Sequence, residues 1–452
     1  MFEINLNKLQ GKYFEEALEQ IKEIVKIPSY RSEPTASAPY GENTLKSLDF
    51  ALDLAEKIGF TKIVKDKKNR YGYAEIGNAK EMMGILCHLD VVPPGNINQW
   101  VTNPFEPIIK DGKLIGRGVF DDKGPTIINM FAVKYLIDHN FLADYRIRMI
   151  FGTAEETDWD DMNAYVANEE HPAFGYTPDG EFPMVYAEKF IRDIDILGNY
   201  QCQFSLMGGS AYNVINDQVT YIGPKLQELK EFLQKNNVVS LVEKDNSLII
   251  QGTAGHGSLP HMGINAATYA LNAIYEIGIN DPIAKFVHDH IHLNYNMTNI
   301  FPDGLEDETG KVTASNGIVE MNDQNQRFTL NLRIPVHANL TNLFNKLNEI
   351  IKSYGLKEKQ AKLEKSVYIA KDSMIATKIM SVYREVTGEQ NAEPVALGGG
   401  TYAKAMENIV AFGAEFDVNN STMHAYNEYV TISDLQKMLE IYTKAIAKLA
   451  KK

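Results

Sequence analysis

The sequence predicts a mixed α/β protein, in which a first domain with a mostly parallel sheet and helices on both faces is interrupted by an inserted α+β domain. The run from Met82 to Cys87 is almost continuously apolar, as in a strand buried on both faces of a parallel sheet. Up to about residue 189, strand-like and helix-like segments alternate, which is typical of a doubly wound sheet. The chain has 452 residues, more than one hydrophobic core usually serves, so two domains are expected.

The boundary between the domains is predicted from a change of pattern near Phe190. Polar and apolar residues alternate cleanly at 191–196 and again at 328–333, which predicts antiparallel strands with one face in water. Helical spacing returns after these strands. The predicted domains are residues 1–189 with 371–452, and the insert 190–370.

The other elements follow from the same rules. Apolar residues at helical spacing predict helices, and apolar runs that end at glycine or proline predict strands. Asp111-Gly112 is the turn signature of a two-residue β-hairpin. The predicted elements are helices at 13–27, 45–55, 126–137 and 375–386, and strands at 71–76 and 146–151.

The composition is that of an ordinary soluble protein and excludes some partners. The net charge of −14 argues against nucleic acid or a membrane as a partner, because an acidic surface is repelled by phosphate and by anionic lipid. Cys87 and Cys202 are the only cysteines, so neither a disulfide framework nor a thiolate zinc site is expected. The N-terminus lacks the pattern of a signal peptide, and no apolar run is long enough to span a bilayer. We therefore expect a cytoplasmic protein.

Polar side chains near the ends of several predicted strands supply candidate metal ligands. Side chains alternate along a strand, so His88 and Asp90 leave the same face just where the apolar run stops. Two imidazoles and several carboxylates without cysteine suit zinc, manganese or cobalt. Taken alone, most of these residues are more simply explained as parts of ordinary turns or loops. The candidates are His88, Asp90, Asp121, Glu155, Glu156, Asp179 and His424.

Glu155 and Glu156 are notable because they follow an apolar strand, where a sheet edge needs no acid. In a tight turn, two adjacent side chains point in different directions. One carboxylate can therefore bind a metal ion while the other takes a proton from the water held on that ion. A metal-dependent hydrolase needs this division of roles.

Four motifs together resemble those of a known family. His-Leu-Asp-Val-Val-Pro stands at 88–93, Gly-Arg-Gly-Val-Phe-Asp-Asp-Lys-Gly-Pro at 116–125, Gly-Thr-Ala-Glu-Glu-Thr at 152–157 and Pro-Asp-Gly-Glu-Phe-Pro at 178–183. In this order they are similar to the motif series of the M20 metallopeptidases. The resemblance is greatest to the dipeptidases of the PepV type, also called Xaa-His or carnosinase-like dipeptidases, and it extends over nearly the whole chain.

The resemblance implies a binuclear metallo-dipeptidase that hydrolyses dipeptides with a free amino terminus, by a water bridging two metal ions and a glutamate general base. Two divalent ions are expected, zinc first and manganese or cobalt as alternatives. The implied roles are a bridging ligand (Asp121), ligands of one ion (His88, Asp179), ligands of the other (Glu156, His424), the general base (Glu155) and a residue that orients His88 (Asp90).

In this resemblance the first domain is catalytic and the insert is a lid with further substrate contacts. The sequence around His256 resembles a lid motif whose histidine contacts the scissile carbonyl oxygen, although a loop histidine beside a proline turn is the alternative. Arg333 matches an arginine that grips the substrate carboxylate, unless it is a surface charge at a strand end. Asn213 stands where the family has a lid asparagine, but its flanking residues depart from the family pattern. Gly399 and Gly400 would shape the carboxylate pocket through main-chain N–H groups.

Two other functions remain open at this point. Another amidohydrolase on the same scaffold, such as a desuccinylase, deacetylase or tripeptidase, would differ in its substrate. A non-catalytic binding protein would have kept the scaffold alone. The segment His288-Asp289-His290-Ile291-His292 looks like a metal cluster, but it has no companion motif and is interpreted as a surface segment of the lid. The long insert favours a monomer, because in PepV-type relatives it fills the space of a dimer partner.

Overall fold

The computed structural model describes residues 2–302 and 305–452, and the chain divides into two compact units. Unit 1 consists of Met1–Tyr186, Val367–Val395 and Thr401–Lys452. Unit 2 consists of Ala187–Ser366 and Ala396–Gly400. Most of unit 2 is therefore one continuous stretch inserted between segments of unit 1.

The strands are short, and most belong to two large sheets. In chain order they are β1 (Lys62–Lys65), β2 (Gly72–Ile76), β3 (Met82–His88), β4 (Ile108–Lys110), β5 (Lys113–Ile115), β6 (Arg146–Gly152), β7 (Phe174–Thr177), β8 (Gly180–Glu181), β9 (Val185–Glu188), β10 (Phe190–Leu197), β11 (Ser205–Gly208), β12 (Gln218–Ile222), β13 (Ser240–Lys244), β14 (Ser247–Gln251), β15 (Glu306–Asp307), β16 (Gly310–Lys311), β17 (Thr313–Ser315), β18 (Val319–Met321), β19 (Gln326–Ile334), β20 (Lys357–Glu364), β21 (Val367–Tyr368), β22 (Val395–Leu397), β23 (Ile409–Ala411), β24 (Ala414–Glu415) and β25 (Tyr429–Thr431).

The helices vary more in length. The α-helices are α1 (Leu6–Lys8), α2 (Phe14–Val25), α3 (Glu42–Lys57), α4 (Lys123–Asp138), α5 (Asp160–Asn168), α6 (Leu226–Asn236), α7 (Ala266–Glu276), α8 (Pro282–Phe286), α9 (Leu340–Ser353), α10 (Met374–Thr387) and α11 (Ile432–Leu449). Short 3-10 or π-helical segments lie at Leu9–Tyr13, Ile97–Gln99, Pro260–Met262, Val287–Ile291, Tyr402–Ala405 and Val418–Asn420. Within the described residues, none of these helices combines the length and the apolar character that a bilayer crossing needs.

The large sheet of unit 1 has a parallel centre and antiparallel flanks. Its strands follow the order β1-β2-β6-β3-β7-β23-β9-β21, with β22 beside β9. β3 pairs in parallel with β6 and β7, and β23 pairs in parallel with β7. β2 runs antiparallel to β6, and β9 runs antiparallel to β23. The predicted α/β class is confirmed, although the parallel pairing is concentrated in the central strands.

β3 is the strand that ends at His88, the first candidate ligand in the chain. All of its residues, Met82–His88, are buried. Leu86 packs in an apolar cluster with Tyr165 of α5. Cys87 points to the opposite face, where it neighbours Thr126 of α4. Helices therefore cover both faces of this sheet, as predicted.

The hairpin and the helix that follows it are confirmed, with one shifted boundary. β4 pairs with β5 around Asp111 and Gly112, whose φ angles of 51° and 72° are those of a two-residue hairpin turn. The helix predicted from Thr126 instead begins at Lys123, so Pro125 lies in its first turn. Proline is tolerated there because the first N–H groups of a helix have no partner within it.

Unit 2 is built on an antiparallel sheet with helices on one side. The strand order is β13-β14-β12-β11-β18-β19-β10-β20, and β17 pairs with β19. The helices α6, α7 and α9 contribute Leu229, Leu271 and Leu347 to one apolar cluster, which also contains Ile194 and Leu330 of the sheet. This arrangement confirms the predicted α+β character of the insert.

The expectation that β10 and β19 leave one face in water is wrong, because nearly all of their residues are buried. Their polar side chains bind one another instead. Asn331 Nδ2 donates to Asp193 Oδ1 at 2.5 Å, and Arg327 Nε donates to Asp195 Oδ1 at 2.9 Å. Alternation predicts that a strand has two different faces, but it does not reveal that polar partners satisfy the second face internally.

Candidate metal centre

His88 lies at the end of β3 and its side chain is buried. Its Nε2 atom is 2.9 Å from Asp121 Oδ1 and 3.7 Å from Asp179 Oδ2. Its Nδ1 atom is 3.0 Å from the main-chain oxygen of Asp90. A proton on Nδ1 satisfies that carbonyl, so Nε2 is the atom that would bind a metal ion once its own proton has been displaced.

Asp121 stands between two histidines from distant parts of the sequence. Its Oδ1 contacts His88, and its Oδ2 is 2.9 Å from His424 Nε2. The same His424 nitrogen is 3.1 Å from Glu156 Oε2. The His424 side chain is 55% exposed, whereas Asp121 is buried. The structure thus brings both predicted histidines of unit 1 onto one carboxylate.

Three groups of described residues place metal-binding atoms within 4.8 Å of one another. They are His88 with Glu155 and Asp179, Asp121 with Glu156 and His424, and, in unit 2, Asp307 with Glu308 and His337. The first two groups adjoin through the contact between Asp121 and His88, and the third is largely exposed. Imidazole nitrogens and carboxylate oxygens without thiolates fit divalent cations such as zinc or manganese. The residues of unit 1 therefore fit a resident metal.

Asp90 holds the glutamate turn as well as His88. Its carboxylate accepts the main-chain N–H of Glu155 at 3.1 Å and that of Glu156 at 3.0 Å. The sequence predicts only that Asp90 orients His88, whose Nδ1 atom lies 3.0 Å from the Asp90 main-chain oxygen and 3.5 Å from its Oδ1. One buried side chain thus holds the main chain of both glutamates.

The electrostatics of the centre favour protonated histidines in the metal-free protein. Burial alone would lower the pKa of His88, but hydrogen bonds to Asp121 and Asp90 raise that pKa well above the ordinary value of an imidazole. Burial likewise opposes protonation of His424, but Glu156 and Asp121 raise its pKa to about 11. Burial, followed by the charge of Asp121, raises the pKa of Glu156 to about 7. A cation that binds here therefore displaces protons.

Asp161 is a residue that the sequence reasoning missed. Its Oδ2 accepts the main-chain N–H of Thr153 at 2.5 Å and that of Ala154 at 2.8 Å. The Tyr402 hydroxyl donates to the same oxygen at 2.5 Å. Burial raises the pKa of Asp161 to about 6. Its only sequence signal is an acid near a helix start, which usually indicates a solvated first turn.

Arg117 and Glu428 were also missed, although both flank predicted ligands. Arg117 Nη1 lies 2.7 Å from Glu428 Oε2, and both side chains are buried. Glu428 follows His424 by one helical turn's spacing, but it lies before β25 and not in a helix. A buried carboxylate in a loop cannot be distinguished from an exposed one by spacing alone.

The predicted residues of unit 2 lie in two places, one around His256 and Asn213 and the other around Arg333. His256 Nδ1 is 2.6 Å from Ser258 Oγ, and the neighbouring Gly257 N–H donates to the Asn213 carbonyl at 2.7 Å. Arg333 is buried and donates from Nη1 to the carbonyl of Gly398 at 3.0 Å.

The Arg333 contact brings the predicted arginine to the segment that carries Gly399 and Gly400. Burial lowers the pKa of Arg333 to about 10, so the guanidinium remains charged at neutral pH. The alternative that Arg333 is an exposed charge at a strand end is therefore wrong.

This protein gathers histidines and carboxylates near the carboxyl ends of parallel central strands. Such an arrangement is typical of metallohydrolases. The chain belongs to peptidase family M20/M25/M40, whose sequence profile matches residues 84–448. Members of this family are metallopeptidases that use divalent metals. The family resemblance inferred from the four motifs is thus confirmed.

Individual relatives agree with this assignment. A protein of Staphylococcus aureus (strain bovine RF122 / ET3-1), provisionally named a dipeptidase, is 32% identical over 463 residues, which cover 97% of this chain and 98% of the relative. Human carnosine dipeptidase 1 has a TM-score of 0.62 at 15% identity and covers 99% of each chain. A metallo-carboxypeptidase of the M20 family from Sulfolobus solfataricus has a TM-score of 0.59 at 18% identity, over 96% of this chain and 99% of that one. At such identities the two structures show the shared fold alone.

Proposed function

We propose that this protein is a metal-dependent dipeptidase that hydrolyses the peptide bond of dipeptides with a free amino terminus. The observation that carries the proposal is the placement of Asp121 between His88 and His424, with Glu155 and Glu156 beside them. The provisional name of the Staphylococcus aureus relative and the name of the human enzyme support a dipeptide as the substrate.

We propose two divalent ions in unit 1, with zinc as the first candidate and manganese or cobalt as alternatives. His88 and Asp179 would hold one ion, Glu156 and His424 the other, and Asp121 both. When bound, such ions supply Lewis-acid activation of a water and of the scissile carbonyl. No thiolate ligand is proposed, because Cys87 and Cys202 are in none of the groups of candidate ligands found among the described residues.

Glu155 is proposed as the general base. Its carboxylate lies with His88 and Asp179, and burial raises its pKa well above the ordinary value of a glutamate. A base of raised pKa can take a proton from the attacking water and later give it to the leaving amine. The Asp90 carboxylate, which holds the Glu155 main chain, would keep this base in position.

For unit 2 we propose the role of a lid that supplies substrate contacts. His256 would stabilise the developing charge on the carbonyl oxygen, and Arg333 would bind the substrate carboxylate with N–H groups of Gly399 and Gly400. Asn213, whose carbonyl accepts the N–H beside His256, would keep that loop in place.

The test is an assay of the full chain against a panel of substrates. The panel contains dipeptides, their N-acetylated forms and matching tripeptides, and hydrolysis of each is measured. The protein is stripped by exhaustive chelation and then resupplied with zinc, manganese or cobalt. We expect hydrolysis of free dipeptides that disappears on chelation and returns with metal.

Three results would contradict the proposal in different ways. Full activity after exhaustive chelation would exclude the metal mechanism. A preference for N-acetylated substrates or tripeptides would keep the metal centre but assign the protein to another amidohydrolase activity. Absence of hydrolysis throughout the panel would favour a binding protein.

A further inference from the structure

The loop that carries Asp121 is wrapped around one buried carboxylate. Glu428 Oε1 accepts the main-chain N–H groups of Gly118 at 3.0 Å, Phe120 at 3.0 Å and Asp121 at 3.2 Å. The Glu428 side chain is fully buried. Without this acceptor, three N–H groups in a closed site would be left without a partner, which costs far more than an exposed hydrogen bond.

Arg117 extends the same contact to the loop that carries His424. Its Nη1 atom binds Glu428 Oε2 at 2.7 Å, and its Nη2 atom donates to the main-chain carbonyl of His424 at 3.4 Å. The two side chains are 2% and 0% exposed. One buried ion pair therefore touches the main chain of both Asp121 and His424.

The backbone places Glu428 against this loop. β25 pairs with β5, with Tyr429 opposite Ile115, so the residue before β25 meets the residue after β5. The Gly116 N–H accordingly donates to the Glu428 carbonyl at 3.0 Å. Gly118, at φ 88°, adopts a turn that lets the following N–H groups converge on the carboxylate.

The contacts of this pair are unevenly distributed over the two groups of candidate ligands. Arg117 and Glu428 reach Asp121 and His424, which form one group with Glu156. The other group begins at His88, which ends a buried central strand and is held by the Asp90 carbonyl.

We propose that Arg117 and Glu428 are positioning residues for the metal site formed by Asp121, Glu156 and His424, and that this site depends on them more than the site at His88 does. The inference rests on the proposed two-metal function and adds which of the two sites is more sensitive to the loss of this ion pair. Buried partners that hold ligands in place commonly change metal affinity by about 10- to 100-fold when they are replaced.

The experiment compares two buried glutamates of unit 1. Glu428→Gln removes the charge that collects the N–H groups. Glu75→Gln is the matched control, because Glu75 is also buried and ion-paired, with Arg148 Nη2 at 2.6 Å on the flanking strand β2. Metal-free full-length proteins are titrated with Mn²⁺, and bound ions are counted by the loss of the free-Mn²⁺ paramagnetic signal.

We expect two ions in the wild-type protein and in Glu75→Gln. In Glu428→Gln we expect one ion weakened by about 10- to 100-fold and the other weakened less, because the two ions share only Asp121 among the ligands that this pair holds. Equal weakening of both ions, or no change, would overturn the inference. A wild-type protein that binds a single ion would overturn the two-metal proposal itself, which is a distinguishable result.

Arg117→Lys provides a second variant if Glu428→Gln does not fold. Lysine keeps the charge but lacks the planar fork that reaches both Glu428 and the His424 carbonyl. We expect the same selective loss of one ion. Two ions of wild-type affinity in this variant would contradict the positioning role.

Discussion

Two groups of histidines in this chain, one in each unit, differ in what their side chains contact. In unit 1, His88 and His424 are far apart in sequence, yet both contact Asp121 and both have raised pKa values. In unit 2, three histidines lie within the segment 288–292, and burial lowers the pKa of His292 to about 4. Among the described residues, no metal-binding group includes a histidine of that segment.

The difference lies in where the side chains point. Along the π-helical segment Val287–Ile291 and just beyond it, each histidine meets a different neighbour. These contacts are His288 Nδ1 to Asn272 Oδ1 at 2.8 Å, His290 Nε2 to the Tyr354 hydroxyl at 2.9 Å, and the His292 ring edge-on to the Tyr269 ring at 4.7 Å. The segment is half-buried, so its interpretation as a surface segment was only partly right. Convergence of distant segments in the fold, and not closeness in sequence, brings the candidate ligands together.

The largest effect is expected from Glu155→Gln, which tests whether the centre of unit 1 does chemistry beyond binding a cation. Loss of a general base commonly reduces turnover by about 10²- to 10⁴-fold. We expect a fall of this size in kcat with unchanged metal content by elemental analysis. Glu156→Gln is the matched control and should lose metal. Loss of metal from Glu155→Gln would mean that Glu155 is a ligand.

Removing one histidine from each region tests the comparison directly. His424→Ala should lower the metal content by one ion, because Asp121 and Glu156 then have no imidazole to complete their group. His288→Ala should leave the metal content unchanged. Elemental analysis after dialysis measures both. An equal loss in the two variants would break the distinction between the regions.

The smallest effect concerns stability and pH in unit 2. Because the pKa of His292 falls to about 4 on folding, the unfolded chain binds more protons than the folded one between pH 4 and 6.5. Protonation of His292 in the unfolded chain therefore costs the folded protein almost nothing above pH 6.5. As the pH falls it lowers the free energy of unfolding, by about 2 kcal/mol at pH 5.

Urea unfolding of the metal-free protein at pH 7 and pH 5 measures this loss. His292→Phe cannot titrate, so the difference between wild type and variant should change with pH by that amount. A difference that is the same at both pH values would mean that His292 is not held neutral by burial.

The sequence predicts elements whose signal is local. The buried run at 82–87 and the Asp111-Gly112 turn are confirmed, because apolar continuity and turn chemistry act over a few residues. It could not predict that Glu428 closes the loop of Asp121, because that contact depends on the pairing of β25 with β5. Satisfaction of a buried acid by distant N–H groups leaves no periodic trace in the chain.

The buried polar face of β10 and β19 has a consequence for alignment. A slip of one residue would turn Asp193 and Asp195 toward the helix-covered side and carry them away from Asn331 and Arg327. The carboxylates would then sit unpaired among aliphatic side chains. These buried polar contacts therefore stabilise the observed register of β10 and β19 against a slip of one residue.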